Sequence, residues 1–496
     1  MRRLRERSDK IVAIVEKNER RISIRSVDKK DRRRMSLPLN VDQNLKHGDI
    51  IVAHLEGVKI SGKLQVTLHK VLGRIGQPHS IEAIVCADND IPVEFAPEIE
   101  KEALLAGPPN RDGRVDLTSI PFVTIDDEDA RDFDDAVWAE PDTSRGNPDG
   151  WKLIIAIADV SSYVPSGSAL DKEAQKRGNS VYLPSKVIPM LPHSLSNEWC
   201  SLKPNQVRAC ITAHVSINNE GRIKHYKFER AIMRSVARLS YKEVDAYRDK
   251  KTTVIDKSLE VQIDSLYGAY ASLRKARLQR KTLDFDLPEK KIIFDNSGKV
   301  TAIENQQRYD SHRLIEEFMI TANVAAAEVL TKRTAPCMYR VHDQPPLDKT
   351  ENLRSYLKTL NYKLSKSQQL RPQHFQQILE KSQNTEHGEA VALMILRSQS
   401  QAEYTPVNIG HFGLNIDRYS HFTSPIRRYS DLLVHRSLIT TLKLGDGGLP
   451  KAIAIDFPAI GTHLSQTERR ATSAERNAMD RYQRKLRNQF KDATQC

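Results

Sequence analysis

Between positions 126 and 135 the chain reads DDEDARDFDD, seven acids in ten residues, and apolar segments close on it from both sides. Phe122-Val123-Thr124-Ile125 before it and Ala136-Val137-Trp138-Ala139 after it have the composition of core strands. A fold that buries both flanks draws the carboxylates together where two buried elements meet, a usual place for a site. Two carboxylates ~4 Å apart repel by roughly 4 kcal/mol at an effective dielectric of 20, so a converged cluster needs a cation. Carboxylate oxygens suit hard divalent ions, Mg²⁺ or Mn²⁺ above all. An EF-hand loop fails the count: from Asp126 or Asp127, position 12 is Val137 or Trp138 rather than Glu, and position 6 is not Gly. The plain alternative is a solvated acidic turn, and the apolar flanks argue against it. Ions held between carboxylates and phosphate oxygens activate water and stabilise a leaving oxygen.

These acids lie in a chain that is otherwise basic. Its 496 residues carry 77 Lys+Arg against 64 Asp+Glu, a formal charge of +13. Such an excess favours polyanion partners, most often nucleic acid, though alone it discriminates weakly. The length predicts two to four domains, and 39% apolar with 28% charged residues is a globular balance rather than a disordered one. No apolar run approaches the ~20 residues of a membrane span; LIIAIA at 153–158 is among the longest. Five cysteines (Cys86, Cys200, Cys210, Cys337, Cys496) without C-x-x-C spacing give neither a disulfide framework nor a zinc site. The N-terminal MRRLRERSDK lacks the apolar stretch of a secretory signal, and Glu6 and Asp9 fit a transit peptide poorly, so a cytoplasmic location is expected.

Residues 1–34 hold 14 Lys/Arg and 6 Asp/Glu, a local charge of +8. Short Val/Ile-rich runs at 10–16, 21–27, 49–55 and 64–70 are separated by polar turns with Gly48, Gly57 and Gly62. They predict a small barrel of the OB or cold-shock type over 1–75; the alternative is a generic β domain with a solvated basic face. Residues 76–118 read as a connector, with one more strand-like run at 81–86 and the turn PPNRDG at 108–113. A mixed region follows over 119–445, with strands at 122–125 and 153–160 and a long helix at 311–330. Residues 446–496 form a C-terminal helical extension, where Ala474, Ala478, Tyr482, Leu486 and Phe490 recur every fourth position of a charged helix. The fold class is α+β.

A basic counterpart to the acids occupies 418–436, RYSHFTSPIRRYSDLLVHR. Ser424-Pro425 reads as a helix start, Ser as N-cap and Pro at the first helical position. Arg427 and Arg428 then fall in the first turn, where the helix dipole disfavours cations unless an anion such as phosphate sits there. The competing reading pairs Arg427 with Asp431 at i,i+4. Tyr182 and Phe285 stand beside Pro-rich turns; either can stack on a base, or simply fill the core.

Here the chain resembles the ribonuclease II family, and more closely its ribonuclease R branch. The resemblance is carried by PFVTIDDEDARDFDDAV (121–137), IADVSSYV (157–164), GSALDKEAQKRGNSVYLPSKVIPMLP (167–192), LDFDLPE (283–289), LIEEFMITANVAAAEVL (314–330), YRVHD (339–343) and HFTSPIRRYSDLLVHRSL (421–438). It implies an RNB catalytic domain behind the OB-like barrel, acting as a processive, Mg²⁺-dependent 3′→5′ exoribonuclease. Such an enzyme degrades single-stranded RNA to nucleoside 5′-monophosphates. The family's metal-site aspartates fall on Asp126, Asp132, Asp134 and Asp135, with Asp134 indispensable to cleavage. Arg427 matches the catalytic arginine, with Arg428 beside it on RNA. Tyr182 and Phe285 match the aromatics that clamp the terminal nucleotides, Glu316 a glutamate near the 3′ ribose, and Glu475 an acid in the AER motif. A monomer without membrane contact is expected.

Three departures accompany the resemblance. Ser162 stands where His is common, one cold-shock-like module is recognisable where two are usual, and no S1-like β pattern follows the last helix. The position of Ser162 varies across the family, and RNA affinity is the property that the two missing modules put in question. Two other classes remain in view: a shortened, non-catalytic RNA-binding protein on the same scaffold, and another metal-dependent nucleotidyl enzyme. Loss of any of the four aspartates or Arg427 would favour the first of these, and all five are present.

Overall fold

A computed structural model of the chain describes residues 9–18, 21–28, 30–38, 44–249, 256–285, 287–365, 367 and 369–494. Residues 1–8, 19, 20 and 29 of the basic N-terminal stretch, the side chain of Phe490 and Cys496 lie outside the described residues. Strands β1 (Lys10–Asn18), β2 (Arg21–Ser26), β3 (Met35–Ser36), β4 (Asp49–Ile60) and β5 (Lys63–Arg74) close a barrel in the order β1-β2-β3-β5-β4. Period-two alternation sends Ile11, Ala13 and Val15 of β1 inward with Ile51 and Ala53 of β4, so the predicted runs become staves with one buried face. The β4–β5 hairpin turns through Ser61 and Gly62, both at positive φ (51° and 76°), the backbone of a tight two-residue loop.

Two helices follow, α1 (Ser80–Asp88) and α2 (Pro97–Ala103). The run at 81–86, expected as a strand, is helical: Ile81, Ile84 and Val85 fall at i, i+3 and i+4, and each face finds a different partner. Ile84 packs with Val12 and Ile50 of the barrel, while Val85 and Cys86 pack with Ala471, Ala474 and Ala478 of the final helix. The expected connector is thus an ordered wedge between barrel and body.

The body is built on one sheet. Its strands are β6 (Val115–Asp116), β7 (Phe122–Asp126), β8 (Asp135–Asp142), β9 (Gly150–Ala158), then, beyond α3 (Ala169–Arg177) and the hairpin β10 (Val181–Leu183) and β11 (Lys186–Ile188), β12 (Val207–Ile217) and β13 (Ile223–Ser240). The order is β12-β9-β8-β7-β13-β6, and β13 also pairs with β12. The 18-residue β13 does both because its first part runs antiparallel to β12 and its last part parallel to β7, with a register shift between Ser235 and Ala237.

Helices α4 (Tyr241–Arg248), α5 (Lys257–Arg280) and, after the hairpin β14 (Lys290–Phe294) and β15 (Val300–Asn305), α6 (Asp310–Lys332) pack on this sheet; the helix expected at 311–330 is α6. Strand β16 (Tyr339–Val341) precedes the group α7 (Leu347–Thr359), α8 (Pro372–Ser382) and α9 (Gly388–Ser398), which shares a separate apolar core, and then pairs with β17 (Glu403–Thr405). The chain ends in α10 (Tyr429–Leu442), α11 (Lys451–Ile455) and the 38-residue α12 (Phe457–Thr494), whose buried Ala474, Ala478 and Tyr482 keep the four-residue spacing of the sequence. Among the described residues no helix is long and apolar enough to cross a membrane.

Candidate active site

The acidic segment is the crossing from β7 to β8: Asp126 is the last residue of β7 and Asp135 the first of β8. Its backbone is pinned from beneath. The Phe133 N–H donates to Ser201 Oγ at 3.0 Å, Ser201 Oγ donates to the Arg131 carbonyl at 2.8 Å, and the Ala158 N–H donates to the Asp134 carbonyl at 2.9 Å. Asp132, Asp134 and Asp135 therefore join Asp126 around one cavity of about 350 Å³.

Asp134 lies deepest, with 5% of its surface exposed. Its Oδ1 accepts the Ile426 N–H at 2.8 Å, Arg427 Nε stands 3.6 Å from Oδ2, and Oδ2 has no hydrogen-bond partner. Burial, then the neighbouring acids, holds the Asp126 carboxyl well above the usual range. Burial does the same at Asp134, against the pull of Arg427. Asp135 is pushed up to about 7, by burial and then Asp134.

Among the described residues no three His, Cys, Asp or Glu side chains are drawn into a ready ligand array. The donor set still fits a hard divalent cation: it is all oxygen, its carboxylates are held above their usual range despite Arg427, and Asp134 carries a buried oxygen without a hydrogen-bond partner.

The arginine turn corrects the sequence reading. No helix begins at Ser424-Pro425; α10 starts at Tyr429, and Arg428 is its extended N-cap residue at φ −139°. The reason is tertiary. A helix from Pro425 needs the Tyr429 N–H, but that group donates to the Gly178 carbonyl, while the Arg427 carbonyl accepts from Ser180. The Ser424 and Ile426 N–H groups are taken by the carboxylates of Asp431 and Asp134.

The ion pair also differs from the i,i+4 alternative. Arg428, not Arg427, binds Asp431, by Nε at 2.9 Å and Nη2 at 2.8 Å. Arg428, expected on RNA, lines the cavity but commits its guanidinium to that buried carboxylate. Arg427 touches Ser424 Oγ at 3.1 Å and otherwise faces the aspartates.

Tyr182, on β10 and 39% exposed, faces the cavity with its hydroxyl donating to Asp132 Oδ2 at 3.0 Å. Its backbone N–H donates to Glu475 Oε1 at 3.0 Å, so Glu475 reaches the site only by holding that strand on α12. Glu316, on α6, lines the cavity and accepts from Arg277 at 2.9 Å and Arg308 at 2.7 Å. Phe285 does not line the cavity; it packs on the separate core that includes Leu353, Leu357 and Phe375.

Among the lining residues that escaped the sequence reading are Tyr241, Asn323 and Tyr419. Asn323 is a crosspiece, donating to the Tyr419 hydroxyl at 3.1 Å and accepting the Phe422 N–H at 2.7 Å. Tyr241 stacks on His312 with ring centroids 3.8 Å apart. A signal for it existed: Ser240 and Glu243 form a capping box that fixes the first residue of α4 at the end of β13.

Residues 114–444 match the RNB domain model, and the chain belongs to the RNB family. It is 39% identical over 426 residues to ribonuclease R of Vibrio parahaemolyticus, covering 83% of this chain and 50% of that protein. Over 378 residues it is 42% identical to ribonuclease R of Escherichia coli, covering 74% of this chain and 46% of that protein. The chain thus spans about half the length of these relatives. Its structure is similar to that of Mycoplasma genitalium RNase R in complex with ribose-methylated single-stranded RNA. The TM-score is 0.89 at 28% identity, covering 97% of this chain and 76% of that one.

Proposed function

We propose that the chain is an exoribonuclease of the ribonuclease R kind, which hydrolyses single-stranded RNA stepwise from its 3′ end and releases nucleoside 5′-monophosphates. The observation that carries this reading is the buried Asp134 carboxylate, with one oxygen lacking a hydrogen bond, set beside Arg427 in a cavity shared with Asp126, Asp127, Asp132 and Asp135. Asp126, Asp132, Asp134 and Asp135 would hold Mg²⁺ or Mn²⁺, which when bound supplies an activated water and a counter-charge for the phosphate oxygens.

The side chains divide the remaining work. Arg427, its backbone fixed by the turn, faces the phosphate and stabilises negative charge that grows during hydrolysis. Tyr182 offers a face on which any base stacks, in keeping with degradation indifferent to sequence. Glu316, oriented by two arginines, keeps free carboxylate lone pairs to accept a ribose 2′-hydroxyl, the group that separates RNA from DNA. Arg428 serves indirectly, by holding the turn through Asp431.

The test is incubation of the purified chain with 5′-labelled single-stranded RNA and Mg²⁺. A ladder descending from the 3′ end, stopped by EDTA and absent on DNA of the same sequence, is expected. Labelled internal fragments would mark an endonuclease and reject the proposal.

A further inference from the structure

Behind Glu316 lies a second cavity of about 250 Å³, walled by α5, α6 and α8. A single ion-paired group separates it from the aspartates. Glu316 faces the catalytic cavity, while Arg277 and Arg308, which clamp it, line the second one. Arg277 also binds Glu317 and Asp284, and Arg313 binds Asp310, so these cations have partners. The side chains of Arg274 and Lys281, exposed at the rim, make no hydrogen bond or ion pair among the described residues.

The helix dipole explains basic residues at the end of α5, since cations suit a C-terminus. Arg308 and Arg313 face the same space from the N-terminus of α6, where the dipole disfavours cations and each is held by a carboxylate, Glu316 and Asp310 respectively. Five cations against three acids (Asp284, Glu317 and Glu380) line the cavity, and the two cations without a side-chain partner, Arg274 and Lys281, can receive an anion. The volume admits a small ligand and not a length of polymer.

We propose that this cavity is a second nucleotide site, which takes the phosphate of the nucleoside monophosphate freed on the other side of Glu316. The identity of the ligand rests on the proposed function; the anion site itself does not. Arg274 and Lys281 hold the phosphate, and Tyr270, on the wall, borders the nucleoside.

Calorimetric titration of adenosine 5′-monophosphate into the full chain, without RNA or divalent metal, tests the site. The double variant Arg274→Glu/Lys281→Glu is expected to weaken binding by about tenfold or more, and Arg274→Gln alone by roughly threefold, as charge-assisted bonds are lost. Asp134→Asn should bind within about twofold of the unaltered chain, since it leaves these charges in place. Adenosine without phosphate should not distinguish the double variant from the unaltered chain. Absence of binding, or equal binding by the charge-reversed variant with an intact circular dichroism spectrum, overturns the proposal; if that variant misfolds, an unshifted Arg274→Gln does so. Loss of RNA shortening with nucleotide binding intact would remove the proposed function and leave the anion site standing. The reverse result would remove the site alone.

Discussion

The N-terminal barrel and the body's sheet both wrap strands around a core, yet they use charge in opposite ways. The barrel's core, among the described residues, is an apolar cluster, and its buried carboxylate, Asp49, sits at the mouth, accepting from the Lys46 N–H and pairing with Arg74. The body buries charge at its joints. Asp159 takes Arg114 at 2.7 Å and Arg230 at 2.8 Å, tying β13 to the chain before β6. Asp171 takes Arg436 at 2.8 Å and the Tyr429 hydroxyl at 2.9 Å, tying α3 to α10. Asp431 takes Arg428 and holds the turn that carries Arg427. A buried ion pair often stabilises no better than a well-packed apolar substitute, because desolvation offsets attraction. What these pairs add is direction, and all three surround the elements that present Arg427. Apolar burial suffices to make a barrel; aiming side chains at a reacting phosphate takes oriented charge.

The largest effect should come from Asp134, the buried acid of the catalytic cavity whose second oxygen has no hydrogen-bond partner. Asp134→Asn keeps shape and the Ile426 bond but removes a charge from the cluster. Turnover should fall by roughly 10⁴-fold, about 5.5 kcal/mol on the barrier. RNA affinity, which rests mainly on Lys/Arg–phosphate contacts, should change little. Single-turnover kinetics with a filter-binding assay separates the two; near-normal turnover would dissolve the contrast between joint-holding and reacting acids.

Next in size is a joint. Arg436→Ala strands the Asp171 carboxylate in a fully buried place and should cost about 3–5 kcal/mol, read by denaturant unfolding. The barrel's Ile51→Ala should cost about 2–5 kcal/mol by leaving a cavity. The two differ in rescue. Replacing Asp171 and Arg436 together by apolar residues of similar volume should restore much of the stability while turnover stays depressed, because direction has been lost. Full recovery of turnover would show that the pair only fills space.

Adjacent arginines sharpen the same point. Arg427→Ala should lower turnover by about 10²–10³-fold with little change in unfolding, as when one transition-state donor is removed. Arg428→Ala should lower stability by about 1–3 kcal/mol, leaving Asp431 underpaired, and lower turnover only as the turn loosens. Lys at 428 should not rescue, since the bond to Asp431 is two-pronged. Identical profiles for the two variants would erase the distinction.

The contrast also governs what the sequence discloses. The barrel is legible because alternation and glycine turns determine it locally, and the acids at 126–135 are legible because their apolar flanks leave them one place to converge. The start of α10 is not, because groups at Gly178 and Ser180, some 250 residues upstream, claim the backbone that a local reading assigns to a helix. The apolar run at 81–86 is too short for periodicity to separate strand from helix, and a partner on each face decides it. Arg428 and Phe285 carry the family's motif, but only the packing around Asp431 and Leu353 reveals how each side chain is engaged.

The smallest effect tests the comparison through pH. The barrel's histidines, His47, His54 and His69, are exposed. The body buries His342 and half-buries His411 and His421 beside Arg340 and Arg428, with Tyr404 and Tyr419 between them. Burial, then the two arginines, holds His421 well below its ordinary value; burial, then His342, pushes His411 down to about 3. Geometry agrees, since His342 Nδ1 and His411 Nδ1 accept the Gly413 and Leu414 N–H groups and have no room for a proton there. Kept neutral when folded, each is freer to protonate in the unfolded chain, whose histidines titrate near ~6.5. The stability they contribute is therefore present above that pH and lost as pH falls below it, by up to roughly 1.4 kcal/mol per unit for each histidine. Unfolding midpoints should drop between pH 7.5 and 5, and His421→Asn should make the slope shallower. Hydrogen exchange at pH 5 should then speed in peptides covering 339–345 and 403–421 before it speeds in the barrel strands. If the barrel opens first, buried charge is not what makes the body the acid-sensitive half.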